Sequence, residues 1–371
     1  MDFGIMFFPT SQRRSDNKYQ LLIDAAKYAD EHGFCSVWTP ERHFHEFGGL
    51  YPNPSLTGAA LAMITRNIQI RAGSLISPLH NSIRIAEEWS FVDNLSGGRV
   101  AISFGSGWNL VDFVFFPERY ERRQAIMYEQ IETVKTLWGG GQISQVDSLG
   151  NKVMIGLHPM PIQKELPVWV TSSGNVNTFI SAGSIGANVL THLMGQDIGK
   201  LAIKIQQYRE SLERHNFDPG GGKVSLMLHT YVGSDLDEVR EKVRRPFRDY
   251  LRSAMSLEQE GARSGGVISG GHKVSPHEIS KEMLEDLIDH SFERYFNTAA
   301  LLGTPSSCKQ IVWQLKEIGV DEIACLIDFI DDDEAIIEGL HYLNDLRASF
   351  SEDLKALSDD SRMAFVESLE S

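Results

Sequence analysis

Short apolar runs alternate with helix-patterned segments along nearly the whole chain, and no other feature limits the possible fold as much. Phe3 to Phe8 is an apolar run ended by Pro9, which reads as a buried strand. Leu21 to His32 places Leu21, Leu22, Ala25, Ala26 and Ala29 on one helical face, and Gly33 stops it. Phe34 to Trp38 is again strand-like. Pro54 to Thr65 predicts a helix, Ile68 to Gly73 a strand, and Ile83 to Leu95 a helix that ends in Ser96-Gly97-Gly98. Val100 to Phe104 predicts a strand and Tyr120 to Trp138 a long helix. Pro167 to Thr171, Val176 to Gly183 and Ala187 to Thr191 give strand, helix, strand. Val224 to Val232 and Glu322 to Leu326 bring the strand candidates to about eight, the number that closes a parallel barrel. Serial right-handed crossovers build a doubly wound sheet or a barrel, and the strand count favours a (β/α)8 TIM barrel over residues 1–350.

Two stretches interrupt the pattern. Ile143 to Gly156 reads as a hairpin turning at Ser148-Leu149-Gly150. Gln259 to Val274 is rich in Gly, Ser and charge, so an insertion over about 255–280 is either a mobile lid or an inert linker. A helix is expected near Asp332 to Ala348, followed by a polar tail at 351–371.

Charge narrows the partners. The chain carries 35 basic and 50 acidic residues, a net charge of −15. That argues against a general nucleic-acid surface and fits a soluble protein with a small-molecule substrate. Arg244, Arg245, Arg248 and Arg252 form the strongest basic run, either a solvated helix face or a site for an anion. The three cysteines, Cys35, Cys308 and Cys325, show no CxxC spacing, so neither a zinc site nor a disulfide framework is indicated. Reduced thiols in a cytoplasmic protein are the simplest reading. The N-terminal apolar run lacks a preceding basic residue and makes a poor signal peptide. No stretch approaches the roughly 20 apolar residues of a membrane helix.

In a parallel barrel the reactive residues sit in the loops that follow strands. Those loops carry Phe7-Phe8-Pro9-Thr10, then Glu41-Arg42-His43-Phe44-His45, then Gly73-Ser74 through His80. Gly105-Ser106-Gly107-Trp108-Asn109, Ser172-Ser173-Gly174-Asn175 and Thr191-His192 follow. Histidine, glycine and hydroxyl residues thus gather at one barrel end. The Ser172–Asn175 turn opens a helix whose free N–H groups suit a phosphate, or it is an ordinary cap. Gly105-Ser-Gly107 lacks the spacing of a dinucleotide loop and suits close backbone approach to a flat ring, or a tight turn. His43 fits proton handling better than metal ligation, since no further ligating cluster lies close in sequence.

The segments VWTPERHFHEFG (Val37 to Gly48) and AGSLISPLHNSIRIAEEWSFVDNLSGGRV (Ala72 to Val100) resemble the bacterial-luciferase-like flavin monooxygenases. GSGWN, PVWVTSSGN, GANVLTHL and GTPSSCKQI follow in that family's order, so the resemblance covers roughly Met1 to Phe350. It is closest to members found in natural-product gene clusters. It implies a TIM barrel that binds FMN non-covalently, receives it reduced from a partner flavin reductase, and uses O2 to oxygenate a substrate, either a small molecule or one tethered to a carrier protein. The resemblance assigns Glu41, Arg42 and His43 to catalysis. It places Gly73 and Ser74 at a cis peptide beneath the flavin ring, Gly105, Gly107, Trp108 and Asn109 beside the flavin, and Ser172, Ser173, Gly174, Thr178 and Thr191 at its phosphate. Relatives commonly pair through their second and third helices, which implies a homodimer.

Arg42 stands where the luciferase alpha chain has a catalytic histidine, Gly105 where it has a reactive cysteine, and Ser106 where an arginine meets the phosphate. Light emission is not expected. Arginine cannot act as a base near neutral pH, but it can hold an anionic peroxide or a substrate carbonyl. A deazaflavin-dependent oxidoreductase and a non-catalytic flavin-binding subunit are the alternative readings.

Overall fold

The computed structural model describes residues 1–8, 17–263 and 281–356. Eight parallel strands close into a barrel: β1 (Asp2–Met6), β2 (Ser36–Thr39), β3 (Gln69–Ile76), β4 (Val100–Gly105), β7 (Val168–Thr171), β8 (Asn188–His192), β9 (Val224–Val232) and β11 (Glu322–Leu326). Closure comes from pairing of β11 with both β1 and β9. The helices α1 (Gln20–Glu31), α2 (Pro54–Ile64), α3 (Ser82–Ser96), α4 (Arg123–Trp138), α5 (Val176–Ser184) and α6 (Ile198–Arg214) follow the first six barrel strands in turn. The expected (β/α)8 architecture is therefore the observed one, and all eight predicted strands are staves of the barrel.

The hairpin is present as β5 (Ile143–Val146) and β6 (Lys152–Ile155), paired antiparallel outside the barrel. Between β9 and β11 the chain makes a longer excursion through α7 (Leu236–Arg263), α8 (Lys281–Thr298), the short β10 (Leu301–Gly303) and α9 (Pro305–Glu317). β10 pairs with Thr230 to Val232, the part of β9 beyond its partners in the ring. The start of the expected insertion, residues 255–263, is the last part of α7, and the remainder of it lies outside the described residues. The start of the predicted tail is likewise helical, since α10 (Asp333–Ala356) runs past Ser351. The basic run lies on α7: Arg248 and Arg252 meet Glu285 of α8, and Arg245 meets Asp249. Arg248 and Arg252 thus pair α7 with α8, while Arg245 is a solvated member of the run.

Inward-facing side chains fill the barrel in layers. The lower layer is polar and tightly bonded. The Glu322 carboxylate accepts from Arg71 Nη1 at 2.6 Å, Trp38 Nε1 at 3.0 Å, Ser225 Oγ at 2.8 Å, and from Ser36 Oγ. Arg71 is stacked between Trp38 and Trp169, 4.9 and 4.4 Å from the ring centroids. Burial pushes the Glu322 carboxyl up, but Arg71 and the hydrogen bonds outweigh it and bring it down to about 2. Gly4 is required here, because a Cβ would stand 2.9 Å from Glu322 Oε1 and closer still to Ser36 Oγ. The upper layer is sparse: Gly73 and Gly105 occupy positions that bulky aliphatics usually fill. A hollow opens above them at the C-terminal ends of the strands.

Candidate functional site

That hollow has a volume of about 290 Å³ and a largely apolar wall that includes Met6, Phe8, Ile76, Trp108, Met227 and Leu326. Ser106, Gly107, Trp108, Thr171 and Ser173 also line a second space of about 700 Å³, so the two form one cleft. The second space is a polar groove. Arg123, Lys200 and Lys204 reach it, no carboxylate side chain lines it, and the Ser172–Asn175 turn forms one wall. In a chain of net charge −15 this cationic groove is a local inversion of sign. A separate hollow of about 730 Å³ between α6, α8 and α9 shares no wall residue with either.

Each wall of the cleft is set by a strand end. Gly73 and Gly105 keep the floor flat: a Cβ on Gly73 would lie 2.9 Å from the Trp38 ring, and one on Gly105 3.0 Å from Ser74 Oγ. The Gly73–Ser74 peptide is cis, as the resemblance implies. Gly107 adopts φ +74°, which favours glycine, and a Cβ there would meet Ile76 at 2.8 Å. At the groove, Asn175 caps α5 by accepting from Asn177 N–H, and Gly174 sits at φ +103° with its missing Cβ 3.3 Å from Lys204 Nζ. Thr191 Oγ1 donates to the Ser172 carbonyl at 2.9 Å, tying β8 to the turn. Lys204 is held by Gln196 Oε1 at 2.6 Å, and burial, with Lys200 nearby, lowers its pKa.

The residues after β2 form a charged cluster at the hollow. The Glu41 carboxylate is buried and accepts from His43 Nε2 at 2.8 Å, His80 Nε2 at 2.7 Å and Ile76 N–H at 2.7 Å. Burial favours its neutral form, but the bonds from the two histidines prevail and lower its pKa. Burial pulls the His80 pKa down, and the Glu41 carboxylate more than reverses this, leaving it raised. Arg42 is buried with its guanidinium 5.3 Å from the Trp108 ring centroid. Its Nη1 lies 3.6 Å from Asp112 Oδ2, beyond hydrogen-bond reach, and Asn109 Nδ2 fixes the other Asp112 oxygen at 3.0 Å. Burial lowers the Arg42 pKa and raises that of Asp112, so desolvation exceeds their mutual attraction.

The predicted residues are thus brought together with two refinements. Glu41, Arg42, Gly73, Ser74, Gly105, Gly107, Trp108, Ser173 and Thr191 line the hollow, while Ser172, Gly174 and Thr178 line the groove. His43 and Asn109 are in neither wall and act on wall residues through Glu41 and Asp112. Sequence reasoning placed His80 in a strand-end loop without giving it a role, and missed Asp112, Arg123 and Lys204. The two latter cations reach the groove from α4 and α6, in a chain with Ser106 where the luciferase alpha chain has an arginine. Among the described residues no cluster of three metal-ligating side chains occurs, and no helix is long and apolar enough to cross a membrane.

The family model for luciferase-like monooxygenases matches residues 1–322. The chain belongs to that family. The alkanal monooxygenase beta chain of Vibrio harveyi is 31% identical over 271 residues, covering 72% of this chain and 83% of its own. The oxygenase component of the flavin-dependent trigonelline monooxygenase of Acinetobacter baylyi is 25% identical over 242 residues. That match spans 62% of this chain and 64% of the relative, less than two thirds of its length. Among solved structures, the monooxygenase RslO1 of Streptomyces bottropensis superimposes with a TM-score of 0.74 at 21% identity, over 93% of this chain and 98% of its own.

Proposed function

We propose that the chain is the oxygenase half of a two-component system: it takes FMN reduced by a separate flavin reductase and uses O2 to oxygenate a natural-product intermediate, free or carrier-tethered. The observation that carries this reading is the single cleft whose flat, apolar end adjoins a cationic groove at a helix N-terminus. Its dimensions suit a planar ring system at one end and a phosphate at the other. Ser173, Gly174 and Thr178, with Arg123 and Lys204, would hold the phosphate. Gly73, Gly105 and Trp108 would hold the ring.

Reduced flavin, when bound, supplies the electrons that activate O2. The protein's part is shielding, positioning and proton control. The apolar wall excludes water that would divert the reaction. Arg42 presents guanidinium N–H groups to oxyanion charge in a water-poor site. Glu41 keeps the His43 and His80 rings in register, and the raised pKa of His80 keeps a proton within the network. The exposed apolar residues Leu56 and Met63 of α2 and Phe91 and Leu95 of the adjoining α3 support pairing of two copies through these helices.

The test is binding followed by turnover. Purified protein should quench FMN fluorescence on binding and form an oxygenated product only when a flavin reductase, its nicotinamide donor and O2 are all present. Failure to bind FMN in either redox state ends the proposal. Thermal stabilisation by a deazaflavin and not by FMN would move the chain to a hydride-transferring branch. Flavin binding with no reductase-dependent product would make it a non-catalytic partner.

A further inference from the structure

We infer that Arg42 is the anion receptor of the substrate pocket and that the substrate carries a free carboxylate on an aromatic or apolar body. This deepens the proposed function and rests on its placement of the cofactor phosphate in the other half of the cleft. The Arg42 side chain is 4% exposed and lines the hollow, yet its Nε and Nη2 atoms have no hydrogen-bond partner. These two nitrogens share one edge of the guanidinium, where two N–H bonds run parallel at the spacing of two carboxylate oxygens. A buried donor without a partner is destabilising, and two such donors on one guanidinium edge, in a residue that lines the hollow, call for an acceptor the protein itself does not supply.

The surroundings hold that edge in place without accepting a hydrogen bond from it. Trp108 packs on the guanidinium, and Asp112, itself oriented by Asn109, stands off Nη1 at 3.6 Å. The other nearby carboxylate, Glu41, already accepts three hydrogen bonds, from His43, His80 and Ile76. Neither acid is placed to saturate Nε and Nη2. The anion end of the cofactor has a separate receptor, because Arg123 and Lys204 lie in the groove beside α5 and Arg42 does not line that groove. Phe47, Ile76, Trp108 and Tyr250 line the same hollow, and their apolar and aromatic faces suit the body of an organic acid. A carrier thioester presents one neutral carbonyl oxygen and cannot satisfy the fork, so the free acid is the matching form.

The test uses the full chain loaded with FMN and titrated calorimetrically with indole-3-carboxylate, its isosteric neutral carboxamide, and the corresponding amine. The acid should bind about tenfold to a hundredfold more tightly than the amide, the range expected of two charge-assisted hydrogen bonds, and the amine should be weakest. Arg42→Gln should bring acid and amide within about twofold of each other, and Arg42→Lys should keep only part of the difference. The acid–amide comparison on the unsubstituted chain needs no variant, so it stands even where Arg42→Gln fails to fold. Equal binding of acid and amide, or discrimination that survives Arg42→Gln, overturns the inference. A loss of FMN affinity in Arg42→Gln matching its loss of acid binding would assign the edge to the cofactor and also overturn it. Absence of FMN binding by the unsubstituted chain sinks the proposed function instead, while the same acid–amide titration without flavin still reads Arg42.

Discussion

Replacing Glu322 by glutamine asks whether the charged layer beneath the cleft holds the barrel together. Arg71 and the Trp38 indole can only donate hydrogen bonds. Trp38 meets Oε1 and Arg71 meets Oε2, so the amide of a glutamine points its NH2 at a donor whichever way it turns. Arg71, 5% exposed between two indoles, keeps its charge and loses its counter-charge. Breaking one side of a buried pair destabilises by about 3–5 kcal/mol. Against a total stability of roughly 5–15 kcal/mol that is a large fraction. At roughly 2 °C per kcal/mol for a large domain, the melting temperature should fall by about 6–10 °C, read by scanning calorimetry near neutral pH. The double variant Glu322→Leu with Arg71→Met removes both charges and should recover part of the loss, the Trp38, Ser36 and Ser225 donors still lacking their acceptor. The acid limb gives a second readout. Because the folded carboxyl is held at about 2 against an ordinary value of 4.5, its stabilisation is present above 4.5 and lost as pH falls toward 2. Glu322→Gln should flatten that limb. A glutamine variant within about 1 kcal/mol of the parent, a modest surface-type effect, would refute the reasoning, as would a double variant no more stable than the single one.

Three further outcomes are expected. Glu41→Gln should reduce the melting temperature most between about pH 4.5 and 6.5: the lowered Glu41 contributes above its ordinary 4.5 and the raised His80 below its ordinary 6.5, so a pH-independent difference would contradict the bridge. Lys204→Ala should weaken FMN binding about tenfold and make it less sensitive to salt, and an unchanged dissociation constant in fluorescence titration would remove Lys204 from the phosphate site. Met63→Glu with Phe91→Glu should convert a dimer to monomer in sedimentation velocity without lowering FMN affinity, and a monomeric parent would dispose of the α2–α3 pairing.

The strands were legible because burial on both faces leaves near-continuous apolar runs, as at Val100–Phe104 and Ile323–Leu326. Element ends were less so. β3 continues to Ile76, beyond the expected stop at Gly73, because a register shift between Gly73 and Leu75 lets pairing with β4 resume. Helix α4 starts at Arg123 and not at Tyr120, since Pro117–Arg119 forms a short turn of its own. β10 escaped notice because three residues show no period. In the site, motif order placed the loops correctly, but partnerships across the sequence were invisible. His80 meets Glu41 from 39 positions away. Asp112 sits in the otherwise apolar stretch Leu110–Phe115, and nothing in its sequence neighbourhood reveals that it faces Arg42 from 70 positions away. Lys204 lies mid-helix on α6, and only the packing of α6 against α5 turns it toward the Ser172–Asn175 turn.

The nine residues of β9 serve two sets of neighbours in succession, first sealing the ring and then receiving β10 above it. A stave that outgrows its cask in this way works as a splint: the long detour between the seventh and eighth staves is pinned by ladder bonds before it returns. Changes of chain length between β9 and β10 are thereby insulated from ring closure.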